Sequence, residues 1–372
     1  DCVLALEGLI GLADPPRESV KHDIETCTRA GIRTVMITGD NGVTAAAIAK
    51  QIGMPGYENI ITGDMLEGMD DGELREKVKS VSIFSRVLPE HKMRIVKAFK
   101  DNGEIVAMTG DGVNDASALK YADIGIAMGG RGSEVAREAA DLILMDDNFS
   151  TIVDTVRDGR RIFDNIRKAV GYVFAIHIPI AFSSLLAPLL GIPSESLFLL
   201  PLHVSMLELI FDPSCSIVLE RQPAESDIMM RKPRDTKKNM LDSGILIKSF
   251  LQGAAIFAAS FSAYFITLGG NPINAPAART MGLAVIMLAN LFLVQVNSAE
   301  HDFIATSLKK LIKDKVMWTV NIATLLGLAV IIYSPLNGIL KLAPLSLPQA
   351  LTALALAAGS VLWDEIVKVF KR

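Results

Sequence analysis

The chain has 372 residues, half of them hydrophobic, and a mean hydropathy of +0.37, high for a protein that lives wholly in water. Its net charge of −4 is small for the length and makes no case for a nucleic-acid partner. Three scattered cysteines, Cys2, Cys27 and Cys215, form no CxxC pair and no zinc spacing, which speaks against a disulfide framework or a cysteine metal cluster. The opening "DCVLALEGLIGLADPP" has no basic stretch before its apolar residues, so it is no signal peptide, and it reads as a chain entered inside a domain.

Up to about residue 165, short β-branched runs alternate with charged helical patterns. The runs are "TVMI" at 34–37, "SIFS" at 82–85, "IVAM" at 105–108, "DIGIAM" at 123–128 and "DLILM" at 141–145, with helices such as "RESVKHDIETCTRA" and "PEHKMRIVKAFKDN" around them. That alternation predicts an α/β domain over 1–160 with a parallel sheet covered by helices. Ligands of such sheets lie beyond the carboxyl ends of the strands, where "TGD" at 38–40 and "TGDGVND" at 109–115 fall.

From 161 to 372 the chain becomes apolar, with six stretches of membrane-spanning length at about 169–190, 197–219, 245–268, 281–296, 316–333 and 347–367. Basic residues gather in alternate connections. Arg221, Arg231, Lys232, Arg234, Lys237 and Lys238 follow the second stretch, Lys309, Lys310, Lys313 and Lys315 follow the fourth, and Lys368, Lys371 and Arg372 end the chain. By the positive-inside rule the soluble domain, these loops and the C-terminus are cytoplasmic, in a multi-pass protein of the cell membrane.

The acidic turns carry the chemistry. Asp111 and Asp115 can converge on one divalent cation when the first follows a strand and the second opens a helix, with Gly110 and Gly112 permitting the sharp turn. A few hard oxygen ligands, with Asn114 helping, suit Mg2+ shared with a phosphate. Thr38 can offer its hydroxyl and N–H to phosphate oxygens, and Lys92 can neutralise charge on a transferring phosphoryl group. One strand–TGD turn alone is an ordinary acidic turn; two of them with the lysine point to phosphoryl transfer. A further "TGD", Thr62 to Asp64, reads as a helix cap.

"DPPR" at 14–17, "MITGDN" at 36–41, "RVLPEHK" at 86–92 and "MTGDGVNDASALK" at 108–120 resemble the P-type cation-transporting ATPases, and the resemblance runs over essentially the whole chain. It implies half of a haloacid-dehalogenase-like phosphorylation domain followed by the last six membrane spans of a pump. In it Asp111 and Asp115 hold Mg2+, Asn114 supports the phosphate, Thr38 and Lys92 contact the aspartyl-phosphate, and Asp14, Arg17, Gly39, Asp40 and Arg86 lie near ATP. The family's nucleophile belongs to a "DKTGT" motif that does not occur here, nor do the dephosphorylating "TGE", the nucleotide-binding domain or the first four spans. The expectation is therefore the C-terminal half of a pump, inactive without its missing N-terminal half.

Six spans fit calcium, sodium–potassium and proton pumps better than heavy-metal pumps. Glu208 and Asp212 lie four apart in the second span, on one helix face, where ionisable groups usually line an ion pathway. Pro213 frees a backbone carbonyl one turn back, a typical ion ligand in broken helices. In calcium-pump relatives the Asp212 position carries a cation-coordinating aspartate. His177, Pro179 and Ile180 in the first span and Asn290 in the fourth replace residues of the muscle-reticulum calcium pumps, which implies a single transport site, with His177 a ligand, a proton carrier or a packing residue. The transported cation is expected to be Ca2+, with a proton or another divalent cation, or a non-catalytic membrane fragment, as the alternatives.

Overall fold

The computed structural model describes residues 7–8, 11, 15–235, 239–298 and 314–370. Asp14, Lys237, Lys238, Lys309, Lys310, Lys313, Lys371 and Arg372 lie outside the described residues. The chain divides into two compact units, Asp1–Asp158 with Ser226–Pro233, and Gly159–Glu225 with Arg234–Arg372.

In the first unit, α1 (Ser19–Arg29), β1 (Met36–Ile37), α2 (Gly42–Gln51), β2 (Ile60–Thr62), α3 (Gly63–Gly68), α4 (Asp71–Lys77), β3 (Ile83–Ser85) and α5 (Pro89–Asp101) come first. They are followed by β4 (Ala107–Gly110), α6 (Ala116–Tyr121), β5 (Ile124–Met128), α7 (Glu134–Ala139) and β6 (Leu142–Leu144). Among the described residues every strand pair is parallel, and the strands form two three-stranded sheets, ordered β1-β3-β2 and β4-β5-β6, where the sequence suggested one. The sequence pattern does not reveal β2. Its "IIT" is only three residues long and pairs with β3 through Ile60–Ile83, Ile61–Phe84 and Thr62–Ser85.

Short polar side chains start several of these helices, satisfying first-turn N–H groups. Asn41 caps α2, Asp70 caps α4 and Ser133 caps α7. Thr62 accepts from the Met65 N–H at the start of α3, so the 62–64 turn is a cap, as its sequence suggests. Pro89 opens α5 at a position where its missing N–H costs nothing. Successive residues of α5 then face two ways. Ile95 packs with Ile61, Leu66, Leu74 and Phe84 over the first sheet, while Val96 packs with Met108, Leu119 and Ala127 over the second. This double packing fixes the helix that carries Lys92.

The remaining helices are α8 (Phe149–Leu189), α9 (Pro201–Met206), α10 (Asp212–Glu220), α11 (Ser243–Leu268), α12 (Ala275–Asn297), α13 (Lys315–Tyr333), α14 (Leu336–Ile339) and α15 (Leu347–Phe370). Among the described residues five helices are long and apolar enough to cross a membrane: α8, α11, α12, α13 and α15. Six were expected. The stretch at 197–219 is instead a helical run from Pro201 to Glu220, divided by a π segment at Leu207–Phe211. Pro213 supplies a reason: it has no N–H for the Leu209 carbonyl and its ring crowds that turn. α11 begins on the Asp242 cap and ends at Gly269, which takes the left-handed conformation at φ 55°. α12 is the hub of the second unit, buried along nearly its whole length among α10, α11, α13 and α15.

Candidate functional sites

The loop after β4 is built around one buried carboxylate. Asp115 is 5% exposed; its Oδ1 accepts from Lys92 Nζ at 2.6 Å, and its Oδ2 accepts from the N–H groups of Asp111 at 3.3 Å and Gly112 at 3.2 Å. The four-residue spacing thus folds Asp115 back under the turn it belongs to. Gly110 has to be glycine, because a β-carbon there would overlap the Asp115 side chain. From the other side the Asp111 carbonyl accepts from Ser133 N–H at 2.7 Å. With its backbone held in this way, the Asp111 carboxylate and the Asn114 amide are left exposed to solvent.

These residues fit Mg2+ in a specific manner. No group of three or more His, Cys, Asp or Glu side chains suited to a metal occurs among the described residues. A site here therefore takes few protein ligands and fills the rest with water and phosphate oxygens, which is how Mg2+ is usually held. The Asp111 carboxylate, exposed to solvent, is placed as one such ligand would be. Asp115 already meets three donors and is suited to anchoring the loop and Lys92.

The loop after β1 forms a second group. Thr38 extends the ladder by donating its N–H to Phe84 O at 2.9 Å, and its carbonyl accepts from Val87 at 3.1 Å. The Asp40 N–H bonds Thr38 Oγ1 at 3.1 Å, which leaves the hydroxyl proton available to donate outward. Arg86 donates its N–H to the Asp40 carbonyl at 3.0 Å, and it takes φ 50° to do so. Space is open around Gly39. Thr38, Gly39, Asp40 and Arg86 thus make one neighbourhood, and Lys92 with the Asp111–Asp115 loop another. Lys92 sits on the first turn of α5, six residues after Arg86. Arg17 is engaged elsewhere, donating to the Asp147 carbonyl at 2.8 Å.

In the second unit, Glu208 lies on the π segment and Asp212 opens α10, with the Asp212 side chain outside what the structure describes. The π segment alters the four-residue geometry expected of a regular helix, and such segments occur frequently at functional sites. His177 Nε2 is 3.9 Å from Glu208 Oε1, while its Nδ1 is 2.7 Å from the Val173 carbonyl. That pairing brings α8 to the π segment. Pro179 does not interrupt α8. Asn290 is buried in the middle of α12.

A buried polar network on three helices goes unmarked in the sequence motifs. Asp364 on α15 takes Lys248 Nζ at 3.0 Å and Gln252 Nε2 at 3.3 Å, both from α11, and Gln252 exchanges bonds with Asn297 of α12 at 3.2 and 3.3 Å. The available signal was an acid within an apolar span.

Two family models match the chain: cation transporting ATPase, C-terminus, over residues 196–370, and haloacid dehalogenase-like hydrolase over residues 2–123. The chain is 41% identical over 337 residues to a calcium-transporting ATPase of Bacillus subtilis (strain 168), covering 90% of this chain and 37% of that protein. It is 42% identical over 289 residues to a calcium-transporting ATPase of Listeria monocytogenes, covering 77% and 32%. A calcium-transporting ATPase type 2C member 1 of Bos taurus is 32% identical over 371 residues, covering 99% and 38%. The chain thus spans between 32% and 38% of the length of these three relatives.

Proposed function

Because the chain belongs to the P-type cation-transporting ATPases, as a C-terminal portion with a haloacid-dehalogenase-like domain and a multi-pass membrane region, we propose that it supplies the phosphate site and part of the ion pathway of an ATP-driven Ca2+ pump. The observation that carries the reading is the Lys92–Asp115 pair tucked beneath a loop that turns Asp111 outward.

Each residue has a task in phosphoryl transfer. Asp115 fixes Lys92 and the two N–H groups, so the ammonium is in place before substrate arrives and needs no reorganisation. Lys92 offsets negative charge on the transferring group. Thr38 donates its hydroxyl proton to a phosphate oxygen. Asp111, with Asn114 beside it, would hold Mg2+, which when bound neutralises phosphate charge. Gly39, Asp40 and Arg86 would lie toward ATP. Transfer further requires an acceptor aspartate, which this family carries in a "DKTGT" segment outside these 372 residues. The phosphorylation domain and the C-terminus are taken to face the cytoplasm.

Ca2+ is favoured because the relatives are calcium-transporting ATPases and because Glu208 and Asp212 supply hard oxygen donors within one apolar segment, beside Pro213, which offers no N–H to the carbonyl one turn before it. His177, next to Glu208, belongs to the same site.

The test is made in the full-length pump. Asp111→Asn should abolish phosphorylation from ATP, and normal phosphoenzyme from that variant would sink the phosphate-site reading. Asp212→Asn should abolish Ca2+-dependent phosphorylation from ATP while keeping phosphorylation from inorganic phosphate, which uses only the cytoplasmic site. Phosphorylation from ATP that ignores Ca2+ chelation and follows pH would favour a proton as the cargo.

A further inference from the structure

The helical run that carries Glu208 is fastened at both ends. At its start, His203 of α9 is fully buried and both ring nitrogens are engaged. Leu200 donates its N–H to Nδ1 at 3.3 Å, so the ring proton sits on Nε2, which donates to the Leu340 carbonyl at 2.7 Å. Arg279 of α12 holds the same two loops together, donating Nε to Leu197 O at 2.8 Å and Nη1 to Lys341 O at 3.4 Å. Lys341 takes φ 51°, a conformation rare outside glycine, at the point where the successive carbonyls of Leu340 and Lys341 are taken by His203 and Arg279. At the far end, Asn165 of α8 donates to the carbonyls of Glu220 at 3.0 Å and Gln222 at 2.8 Å.

A helix pinned at both ends changes its rise or rotation most easily where its hydrogen bonding is already irregular. Here that place is the π segment Leu207–Phe211, which is followed at once by Pro213. We infer that His203 is a positioning residue for the transported cation. Through its bond to the Leu340 carbonyl it fixes the α9 end of the run, so that any displacement of Glu208 and Asp212 on cation binding is taken up within Leu207–Phe211. The inference rests on the reading of Glu208 and Asp212 as cation ligands.

Two amide substitutions separate the two bonds of the ring. Glutamine places a donor near the Nε2 position, toward Leu340, whereas asparagine keeps an acceptor near Nδ1 for Leu200 and loses that donor. Phosphorylation of the full-length pump from ATP is titrated with Ca2+, and phosphorylation from inorganic phosphate is measured alongside. His203→Asn should raise the half-saturating Ca2+ concentration about tenfold with phosphorylation from inorganic phosphate unchanged, and His203→Gln should remain within about threefold of wild type. Wild-type Ca2+ dependence in the asparagine variant, equal losses in both variants, or a parallel loss of phosphorylation from inorganic phosphate would overturn the inference, because His203 would then only pack. If the wild-type pump ignores Ca2+, or Asp212→Asn keeps full Ca2+ dependence, the cation-site reading itself fails, and this inference with it.

Discussion

The Asp115 side chain fills the space that a β-carbon on Gly110 would occupy. The glycine of the acidic loop therefore makes room for the aspartate five residues later, and the two positions are coupled by volume. Gly110→Ala should push Asp115 off Lys92 and off both loop N–H groups. The expected cost is about 1–3 kcal/mol of overpacking, together with loss of phosphoenzyme. Thermal unfolding and phosphorylation of the full-length pump check this, and an alanine variant with wild-type phosphorylation would contradict it.

The Lys92–Asp115 pair is nearly closed to water, with side chains 19% and 7% exposed. Removing one partner of such a pair strands the other. Lys92→Met should destabilise the first unit by about 3 kcal/mol, the lower end for breaking buried pairs because the lysine keeps some solvent contact. Adding Asp115→Asn to that variant should restore part of the loss, since a neutral amide needs no counter-ion. A double-mutant cycle on unfolding midpoints measures the coupling; additive losses would show that the two side chains do not sense each other.

Asp147 ties two loops of the first unit. Its carboxylate accepts from Gly130 N–H at 3.0 Å and Arg131 N–H at 2.9 Å. The Gly130 bond, reinforced by the N–H and the charge of Arg131, holds this carboxyl below the usual carboxylate range. A group whose folded value is depressed contributes stability that is full above its unfolded value, about 4, and is lost as pH falls through the lower folded value. Protection of the Gly130 and Arg131 amides from hydrogen exchange should therefore weaken below about pH 4, and Asp147→Asn should flatten that dependence. Identical acid profiles in the two proteins would rule the tie out.

Gly253 lets α11 approach α8 closely, since a β-carbon there would lie 2.5 Å from the Ala175 carbonyl and 2.7 Å from Ile178 Cβ. Small residues at helix contacts serve this purpose in membranes, where packing rather than hydrophobicity holds helices together. Gly253→Val should separate the two helices and lower thermal stability in detergent by about 1–3 kcal/mol. Ser249 lies one turn earlier on α11 and against Gly171; Ser249→Ala removes only a hydroxyl there and should be nearly silent. Equal effects of the two changes would show that close approach at Gly253 does not matter.

Much of this fold is legible in the order of residues alone, because its signals are local. The 62–64 cap needs only Thr62 and the first turn of α3, and β4 and β5 run within a residue or two of where their apolar stretches place them. Sheet partnership is different. β2 pairs with a strand more than twenty residues away, and nothing local in "IIT" marks it as a strand rather than a loop. At the site, residue types and spacing identify Asp111, Asp115 and Lys92 as a group, yet which aspartate is buried follows from the missing side chain on Gly110 and from the placement of α5. In the membrane region, hydropathy counts apolar residues but does not register hydrogen-bond pattern. It marks a spanning stretch at 197–219 and passes over the π segment that divides it, for which Pro213 is the one hint.

Of the five apolar helices among the described residues, α12 has 83% of its most apolar stretch buried inside the protein, against 28–39% for the other four. Its composition suits lipid, yet its side chains face the rest of the protein. A helix enters a bilayer singly before it packs with others, so α12 has to satisfy two different solvents in succession: hydrocarbon during insertion, and the side chains of its neighbours afterwards. Most substitutions on its neighbours' outward faces answer only to the first solvent. On α12 a residue can be oily enough to insert and still be the wrong shape to assemble, which makes this helix the place where defects of biogenesis and defects of folding separate.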